Sequence, residues 1–236
     1  MKLQLEFEPR HGSAIDLGNE VRRLTAANPG PFTFHGTNTF IVGKDELDPG
    51  PALDQHFDAL VAAIAGRRVS HIFVTHTHLD HTGLLERLVD QTGAKTFAQG
   101  PHRAARELRA GETNVLDASS DRRFTPNVLL KDGQIVSGDG WQLEAVHTPG
   151  HTANHCAFAL KGAGILFSGD HVMGWSTSIV APPDGSMADY LASLDKLLRR
   201  DDSTYLSGHG GEITNPKSFV KALKTHRKMR ERAVLQ

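Results

Sequence analysis

Four side chains that can bind a metal ion lie within six positions, directly behind a short apolar run. The segment FVTHTHLDHTG contains His76, His78, Asp80 and His81. In an extended or turning segment, His76 and His78 can point to the same side, as ligands of one tetrahedral ion must. Asp80 and His81 follow too closely to join that tetrahedron and are better placed to face a neighbouring ion. The spacing predicts two adjacent metal ions, although a chain with 14 histidines could also cluster some on a solvated loop.

Two metal ions need further ligands, and the sequence supplies three more candidates. HTPGHT contains His151 behind a Pro-Gly turn, LFSGD contains Asp170, and YLSGHG contains His209. Asp170 and His209 each follow an apolar run, which is typical of a strand that brings a ligand to the edge of a sheet. These three residues join the first segment as candidate metal ligands.

The elements that must position these residues alternate between strand and helix patterns. Apolar alternation and short apolar runs predict strands at 3–7, 39–42, 71–74, 141–146, 155–160, 164–169 and 203–207. Helical spacing predicts helices at 57–64, 83–91, 101–110 and 189–199, and a last helix from 216 towards the end. Because strands alternate with helices, the sequence predicts an α/β fold.

Composition excludes several classes of protein. The 236 residues, 39% of them hydrophobic, suffice for a buried core, and the formal net charge of −1 argues against binding nucleic acid through bulk electrostatics. The single cysteine, Cys156, excludes an internal disulfide, and the first residues, MKLQLEFEPR, lack the apolar core of a signal peptide. A cytoplasmic location is therefore predicted. The longest apolar stretch, 59–65, is too short to span a bilayer, so no membrane partner is expected.

Four motifs in order, THTHLDH, TPGHT, SGD and SGHG, together resemble the metallo-β-lactamase superfamily. This resemblance covers most of the chain and implies a four-layered αββα sandwich. It implies that His76, His78 and His151 hold a first metal ion. It also implies that Asp80, His81 and His209 hold a second ion and that Asp170 bridges the two. GTNTFIVG, GDHVMGW and APPDGSMADYLASLDKLL are most similar to the branch of lactamase-β-like protein 2 and its bacterial relatives.

The resemblance also implies a division of the chain. Residues 1–215 are assigned to the catalytic domain and 216–236 to a basic C-terminal helix. The branch usually continues into a small winged-helix domain, so the helix is either the truncated start of that domain or the end of a member that lacks it. Between 217 and 232 the helix carries seven Lys and Arg residues against Glu231 alone. A solvated face is the favoured interpretation, and an RNA phosphate contact is the alternative.

The predicted function is a dinuclear metal-dependent hydrolase that uses a metal-bound hydroxide, with Asp80 as the catalytic residue that orients it. Two zinc ions are predicted, with iron or manganese as alternatives. A small ester, thioester or lactone is the favoured substrate, because the chain outside the basic helix is acidic and aromatic residues make up only 6%. The alternatives are an endoribonuclease acting on single-stranded RNA, a weak β-lactamase side activity and a metal-binding module without turnover.

Several residues near the motifs have competing interpretations. His147 is predicted to support the site or to be structural rather than to bind metal, and His155 is predicted to support the site. His171 could protonate a leaving group, line the pocket, or pack as a hydrogen-bonded structural histidine. Cys156 is predicted to be a buried, inert thiol. Met173 and Trp175 are either a pocket wall or part of the core, with the core favoured.

Overall fold

Two β-sheets form the centre of the computed structural model, which describes residues 2–43, 45–114 and 119–234. Neighbouring strands of each sheet follow one another in the chain. The seven-stranded sheet contains β1 (Ile15–Asp16), β2 (Val21–Thr25), β3 (Asn38–Val42), β4 (Asp45–Leu47), β5 (His71–Phe73), β6 (Lys95–Ala98) and β7 (Val128–Leu129). The five-stranded sheet contains β8 (Ile135–Ser137), β9 (Gln142–His147), β10 (Cys156–Leu160), β11 (Ile165–Gly169) and β12 (Thr204–Ser207).

Helices connect the parallel strands and end where the chain must turn. The described helices are α1 (Asp54–Ile64), α2 (Leu79–Thr82), α3 (Leu85–Thr92), α4 (Met187–Leu198) and α5 (Pro216–Val234). The crossover from β4 to the parallel β5 contains α1, and the crossover from β11 to the parallel β12 contains α4. Ser186 caps α4 by accepting a hydrogen bond from the backbone N–H of Asp189 at 3.3 Å. Gly93 ends α3 in the left-handed conformation, with φ of 69°.

Strand β10 shows why the two sheets pack as inner layers. Cys156, Phe158 and Leu160 point into the core between the sheets, where they meet residues such as Phe40 and Phe73 of the first sheet. The intervening residues of β10 are also buried, but against the opposite layer. A strand that buries both faces must be covered on both sides.

Two outer cores supply that cover. Phe57 and Leu60 of α1 pack with Leu88 of α3 on the outer face of the first sheet. Residues of α4 and α5, including Tyr190 and Leu223, pack on the outer face of the second sheet. The order of layers is therefore helix, sheet, sheet, helix, which confirms the predicted αββα sandwich.

Two predicted elements were wrong. Residues 3–7 form no strand, because their only backbone bond to the rest of the chain among those described runs from Gln4 N to Gly174 O, and no sheet edge pairs with them. Residues 101–110 form no helix. The backbone N–H groups of Ala105 and Arg106 instead donate to the carbonyl of Pro183, a distant part of the chain. In both segments tertiary contacts outweigh the local pattern.

The C-terminal helix packs on the rest of the molecule. Val220 and Leu223 are fully buried against α4, and Lys224 forms an ion pair with Asp195. Among the described helices, none is both long enough and apolar enough to cross a membrane. The last predicted residues, 235–236, lie outside the described residues.

The two sheets are joined directly beside the candidate site. The backbone N–H of Asn38, at the start of β3, donates to Gly208 O at 2.7 Å. Its side-chain amide donates to Ser207 O at 3.0 Å and to Gly210 O at 2.9 Å. These bonds fix the loop after β12 against the first sheet.

Candidate metal centre

The direction of the strands explains why the candidate residues converge. Strands β9, β11 and β12 run in the same direction, so their carboxyl ends meet at one edge of the second sheet. His151, Asp170 and His209 follow these three ends. His76 and His78 follow β5, and the single turn of α2 carries the remaining two candidates. The structure thus brings all seven predicted residues together.

The first group consists of three buried imidazoles. Nε2 of His76 lies 3.0 Å from Nδ1 of His78, and Nε2 of His151 lies 3.1 Å from the same atom. A tetrahedral zinc ion with bonds of about 2.0–2.1 Å would hold its ligand atoms about 3.4 Å apart. The three nitrogens are therefore close to the spacing that one ion requires.

The second group combines a carboxylate with two imidazoles. Oδ2 of Asp80 lies 3.4 Å from Nε2 of His81 and 3.3 Å from Nε2 of His209. Thr37 Oγ1 donates to the same carboxylate oxygen at 3.0 Å, which fixes its direction. These three residues can offer their ligand atoms within 4.8 Å of one another.

Asp170 lies between the two groups. Its Oδ2 is 3.3 Å from Nε2 of His209 and 3.7 Å from Nε2 of His151. Its Oδ1 is 3.5 Å from Nε2 of His81. One carboxylate therefore reaches both groups, as a bridging ligand must.

Hydrogen bonds on the far side of the rings orient three of the imidazoles. Nδ1 of His151 donates to Ile179 O at 2.6 Å, and Nδ1 of His209 donates to Gly36 O at 3.3 Å. Nδ1 of His81 lies 3.0 Å from the buried carboxylate of Asp48. An imidazole that donates from Nδ1 leaves the lone pair of Nε2 facing the cluster, as a metal ligand requires.

The two groups have opposite electrostatics. Burial lowers the pKa of His78 to about 3, and burial likewise lowers the pKa values of His76 and His151. Burial opposes charge in the second group too, but neighbouring carboxylates outweigh it there. Asp170 is the main cause that raises the pKa of His209 to about 9, and Asp80 is the main cause that raises the pKa of His81.

The carboxylates shift in the opposite direction to their histidine neighbours. Burial acts to raise the pKa of Asp80, but the charges of His81 and His209 hold it well below its usual range. The same two histidines lower the pKa of Asp170 against its own burial. Both carboxylates are therefore anionic at neutral pH.

Two orphaned atoms test whether a metal ion fits. Nε2 of His81 and Oδ1 of Asp170 are buried without a hydrogen-bond partner, and both face the cluster. Leaving such a group unpaired costs about 1–3 kcal/mol, more if it is charged. A bound cation would satisfy both atoms, so the donor set fits a metal site.

A cavity of about 670 Å³ opens onto the cluster. Its floor contains residues of both groups, and its wall is apolar, with Phe32, Leu79, Met173, Trp175 and Ile179. Phe32 and Leu79 are 64% and 43% exposed. No Lys or Arg is among the described residues that line this cavity. Met173 and Trp175 therefore form a pocket wall, contrary to the favoured core interpretation.

The supporting histidines separate into different roles. His155 accepts a hydrogen bond from the backbone N–H of Asp170 at 3.2 Å, so it supports the site as predicted. Nε2 of His147 instead donates to Leu130 O, away from the cluster. His171 is fully buried and is not among the cavity residues, and burial lowers its pKa to about 3. Its packing is confirmed, but the predicted hydrogen bonding is not, because neither ring nitrogen has a hydrogen-bond partner in the described part of the chain.

Some residues escaped the sequence analysis. Cys156 is buried as predicted, and burial raises the pKa of its thiol well above the usual range. Asp48 and Thr37, by contrast, were not identified, although both contact cluster residues. A carboxylate directly after the short strand β4 is the signal that could have identified Asp48. No local pattern marks Thr37 or the carbonyl of Ile179.

The family follows from fold, site and sequence together. Residues 35–209 match the model of a protein family described as "Metallo-beta-lactamase superfamily". The chain belongs to this superfamily, and the prediction of an enzyme of this family, a metal-dependent hydrolase, is confirmed.

Relatives refine the resemblance. The chain is 31% identical over 227 residues to a beta-lactamase-like protein 2 homolog of Caenorhabditis elegans, in a match that covers 93% of this chain and 71% of that protein. It is 26% identical to an atrochrysone carboxyl ACP thioesterase of Claviceps purpurea, covering 100% of this chain and 70% of that protein. The predicted similarity to the protein 2 branch is confirmed.

Solved structures show the same fold. A metallo-beta-lactamase family protein from Thermus thermophilus matches with a TM-score of 0.76 and 25% identity, covering 93% of this chain and 83% of that chain. A beta-lactamase domain protein from Burkholderia ambifaria matches with a TM-score of 0.77 and 24% identity, covering 96% and 76%. Both support the αββα sandwich.

Proposed function

We propose that this protein is a dinuclear metallo-hydrolase that cleaves a small ester, thioester or lactone. The observation that carries the proposal is the cavity above the cluster, which has an apolar wall and no Lys or Arg among its described residues. A cavity of this kind binds an apolar acyl group, whereas RNA binding requires cations that neutralise phosphates. The similarity to a protein named as a thioesterase supports the same substrate class.

Seven residues would hold the metal ions. His76, His78 and His151 would bind the first ion, and Asp80, His81 and His209 would bind the second. Asp170 would be shared between them. Zinc suits a donor set rich in imidazole, and iron or manganese would also accept these ligands. When bound, such ions polarise a carbonyl oxygen and lower the pKa of coordinated water towards neutrality.

The chain itself orients the reactants. The side chain of Asp80 is 26% exposed and that of Asp170 only 8%, so Asp80 is the cluster carboxylate that water can reach more readily. Because its pKa is low, Asp80 is anionic and can accept a hydrogen bond from the attacking water. Thr37 holds this carboxylate in position. The exposed ring of Phe32 at the cavity would contact the acyl group and exclude bulk water.

A turnover panel tests the substrate class. The metal-reconstituted protein is assayed with thioesters, esters and lactones of increasing acyl size, a chromogenic cephalosporin and labelled single-stranded RNA. We expect the highest kcat/KM for an apolar thioester or ester. Cleavage of RNA without any ester or thioester turnover would contradict the proposal.

A pair of variants tests the role of the apolar wall. Phe32→Ala should raise KM for apolar substrates, because it removes apolar contact area from the cavity. Leu129→Ala is the matched control, since Leu129 is 62% exposed on β7 and is not a cavity residue. Equal KM values for both variants would exclude Phe32 from substrate binding.

A further inference from the structure

A short series of contacts connects the C-terminal helix to one cluster histidine. Arg227 of α5 donates from Nη2 to the backbone carbonyl of Ser178. The next carbonyl in the chain, that of Ile179, accepts the 2.6 Å hydrogen bond from Nδ1 of His151. The guanidinium therefore holds the peptide unit adjacent to the one that orients His151.

The segment that carries these carbonyls depends on side-chain bonds. Residues 171–181 contain no helix or strand. The hydroxyls of Ser178 and Tyr190 both donate to His171 O at 2.9 Å, which fixes the start of the segment. Arg227 acts near its other end and also lies over the Tyr190 ring, 5.3 Å from its centroid. Removing the guanidinium would leave Ser178 tied to His171 by its hydroxyl but would free the Ser178 carbonyl, which lies next to the peptide unit that contacts His151.

Helix α5 presents Arg227 from a fixed position. Val220 and Leu223, two turns and one turn earlier, are fully buried against α4. The ion pair between Lys224 and Asp195 lies on the same interface. Arg227 thus combines a rigid base with a charged, planar donor, and charge-assisted hydrogen bonds are about twice as strong as neutral ones.

We propose that Arg227 is a positioning residue for the metal site. By holding Ser178 O, it keeps Ile179 O in place to accept from Nδ1 of His151, so that Nε2 faces the first ion. Because Ser176, Thr177 and Ile179 also belong to the cavity, the same contact shapes part of its wall. This inference rests on the proposed function for the identity of the ligands.

The test compares Arg227→Gln with Arg227→Lys and with Lys221→Gln. Lys221 is an exposed residue of the same helix, so its variant loses the same charge without touching the segment. Affinity for the first ion is measured by competition with a chromophoric chelator. Arg227→Gln should weaken it by up to about tenfold, the lower end of the effect of losing a direct partner of a ligand, because Arg227 acts through Ser178 and Ile179. Arg227→Lys should recover part of the loss, and Lys221→Gln should match the unaltered protein.

A second readout does not require metal or turnover. The Nδ1–H proton of His151, assigned by its loss in His151→Gln, should exchange with solvent faster in Arg227→Gln. If that variant does not fold, the same signal in Arg227→Lys decides. Unchanged exchange and metal affinity in a folded Arg227 variant would overturn the inference. Absence of metal binding by the unaltered protein would instead overturn the proposed function, while the exchange measurement would still decide the role of Arg227.

Discussion

The first group of the cluster (His76, His78 and His151) and the second group (Asp80, His81 and His209) are here called its two halves. Both contain buried histidines, yet the pKa values of these histidines are shifted in opposite directions. In the first half, His76, His78 and His151 have lowered pKa values, and they are neutral at pH 7. In the second half, His81 and His209 have raised pKa values although both rings are buried. The difference is the number and closeness of carboxylates, not the degree of burial. His209 lies 3.3 Å from both Asp80 and Asp170, whereas Asp170 approaches His151 of the first half only to 3.7 Å.

This difference has a chemical consequence. The first half offers lone pairs without displacing a proton, whereas the second half binds protons that compete with a metal ion. The first half thus resembles a preformed site, and the second half depends on pH. The following experiments test this difference in metal binding between the two halves.

The largest effect is expected where the halves meet. Asp170→Ala should lower kcat more than about 100-fold, because even an outer partner of a ligand contributes about 10–100-fold. His147→Ala should have little effect, since that ring contacts Leu130 O instead of the cluster. Steady-state kinetics on folded variants provide the measurement.

Metal analysis accompanies this comparison. The unaltered protein should approach two ions per chain, and Asp170→Ala should retain fewer. Similar losses of activity in Asp170→Ala and His147→Ala would contradict a shared carboxylate. Fully loaded protein that never exceeds one ion per chain would show that only one half binds metal.

The next effect concerns pH. The pKa of His209 is raised to about 9, so the metal-free ring gains a proton as pH falls below that value. The pKa of His78 is lowered to about 3, so that ring has no proton to displace above pH 3. Between about pH 8 and pH 6, affinity for the second ion should fall about tenfold per pH unit for each displaced proton. Affinity for the first should change little, and chelator competition measures both. If the affinity for both ions fell in parallel, the predicted difference in pH dependence between the halves would be wrong.

A smaller effect is expected when the carboxylate that contacts His81, that of Asp48, is changed. Asp48→Asn removes the charge next to Nδ1 of that ring and should weaken the second ion about 10–100-fold while sparing the first. Asp45→Asn is the control, because Asp45 is an equally buried carboxylate whose partners, such as Ser70 and Trp141, lie outside the cluster. It should lower thermal stability without changing metal affinity. Equal metal affinity in the two variants would exclude Asp48 from the site.

The smallest effect is expected far from both halves. Changing the exposed Lys217, Lys221 and Lys228 to Gln should leave ester turnover within about twofold, because exposed charges are screened by solvent and salt. Lys224 is left unchanged, because its ion pair with Asp195 lies where α5 packs on α4. Turnover and RNA cleavage are measured together. A marked loss of RNA cleavage, with ester turnover absent throughout, would reverse the choice of substrate.

Sequence patterns predicted the site better than its surroundings. His76 to His81 form one segment, and Asp170 and His209 directly follow apolar runs, so local spacing was sufficient to select as candidates residues that the structure brings together. The opposite pKa shifts of His78 and His209 could not be predicted, because they depend on which carboxylates lie nearby in three dimensions. The contact of Arg227 with Ser178 joins two distant segments and leaves no local pattern.

The same limit explains the incorrect elements. The alternation at 3–7 fits a strand, but a strand also requires a partner along a sheet edge. The pattern at 101–110 fits a helix, but the backbone N–H groups of Ala105 and Arg106 donate to Pro183 O instead of to a helical carbonyl. The α/β class was readable from alternation because strands such as β10 carry their own apolar pattern. The layered arrangement came from the family resemblance.

The distance along the chain between His76 and His209 also determines when the site can exist. During synthesis the chain appears from its N-terminus at about 5–20 residues per second. The cluster cannot close until β12 and the loop after it have emerged and joined Asn38 of the first sheet. An ion that binds only this finished arrangement shifts the equilibrium towards it by mass action. Metal retention would therefore report completed folding and protect the seam between the sheets from proteases.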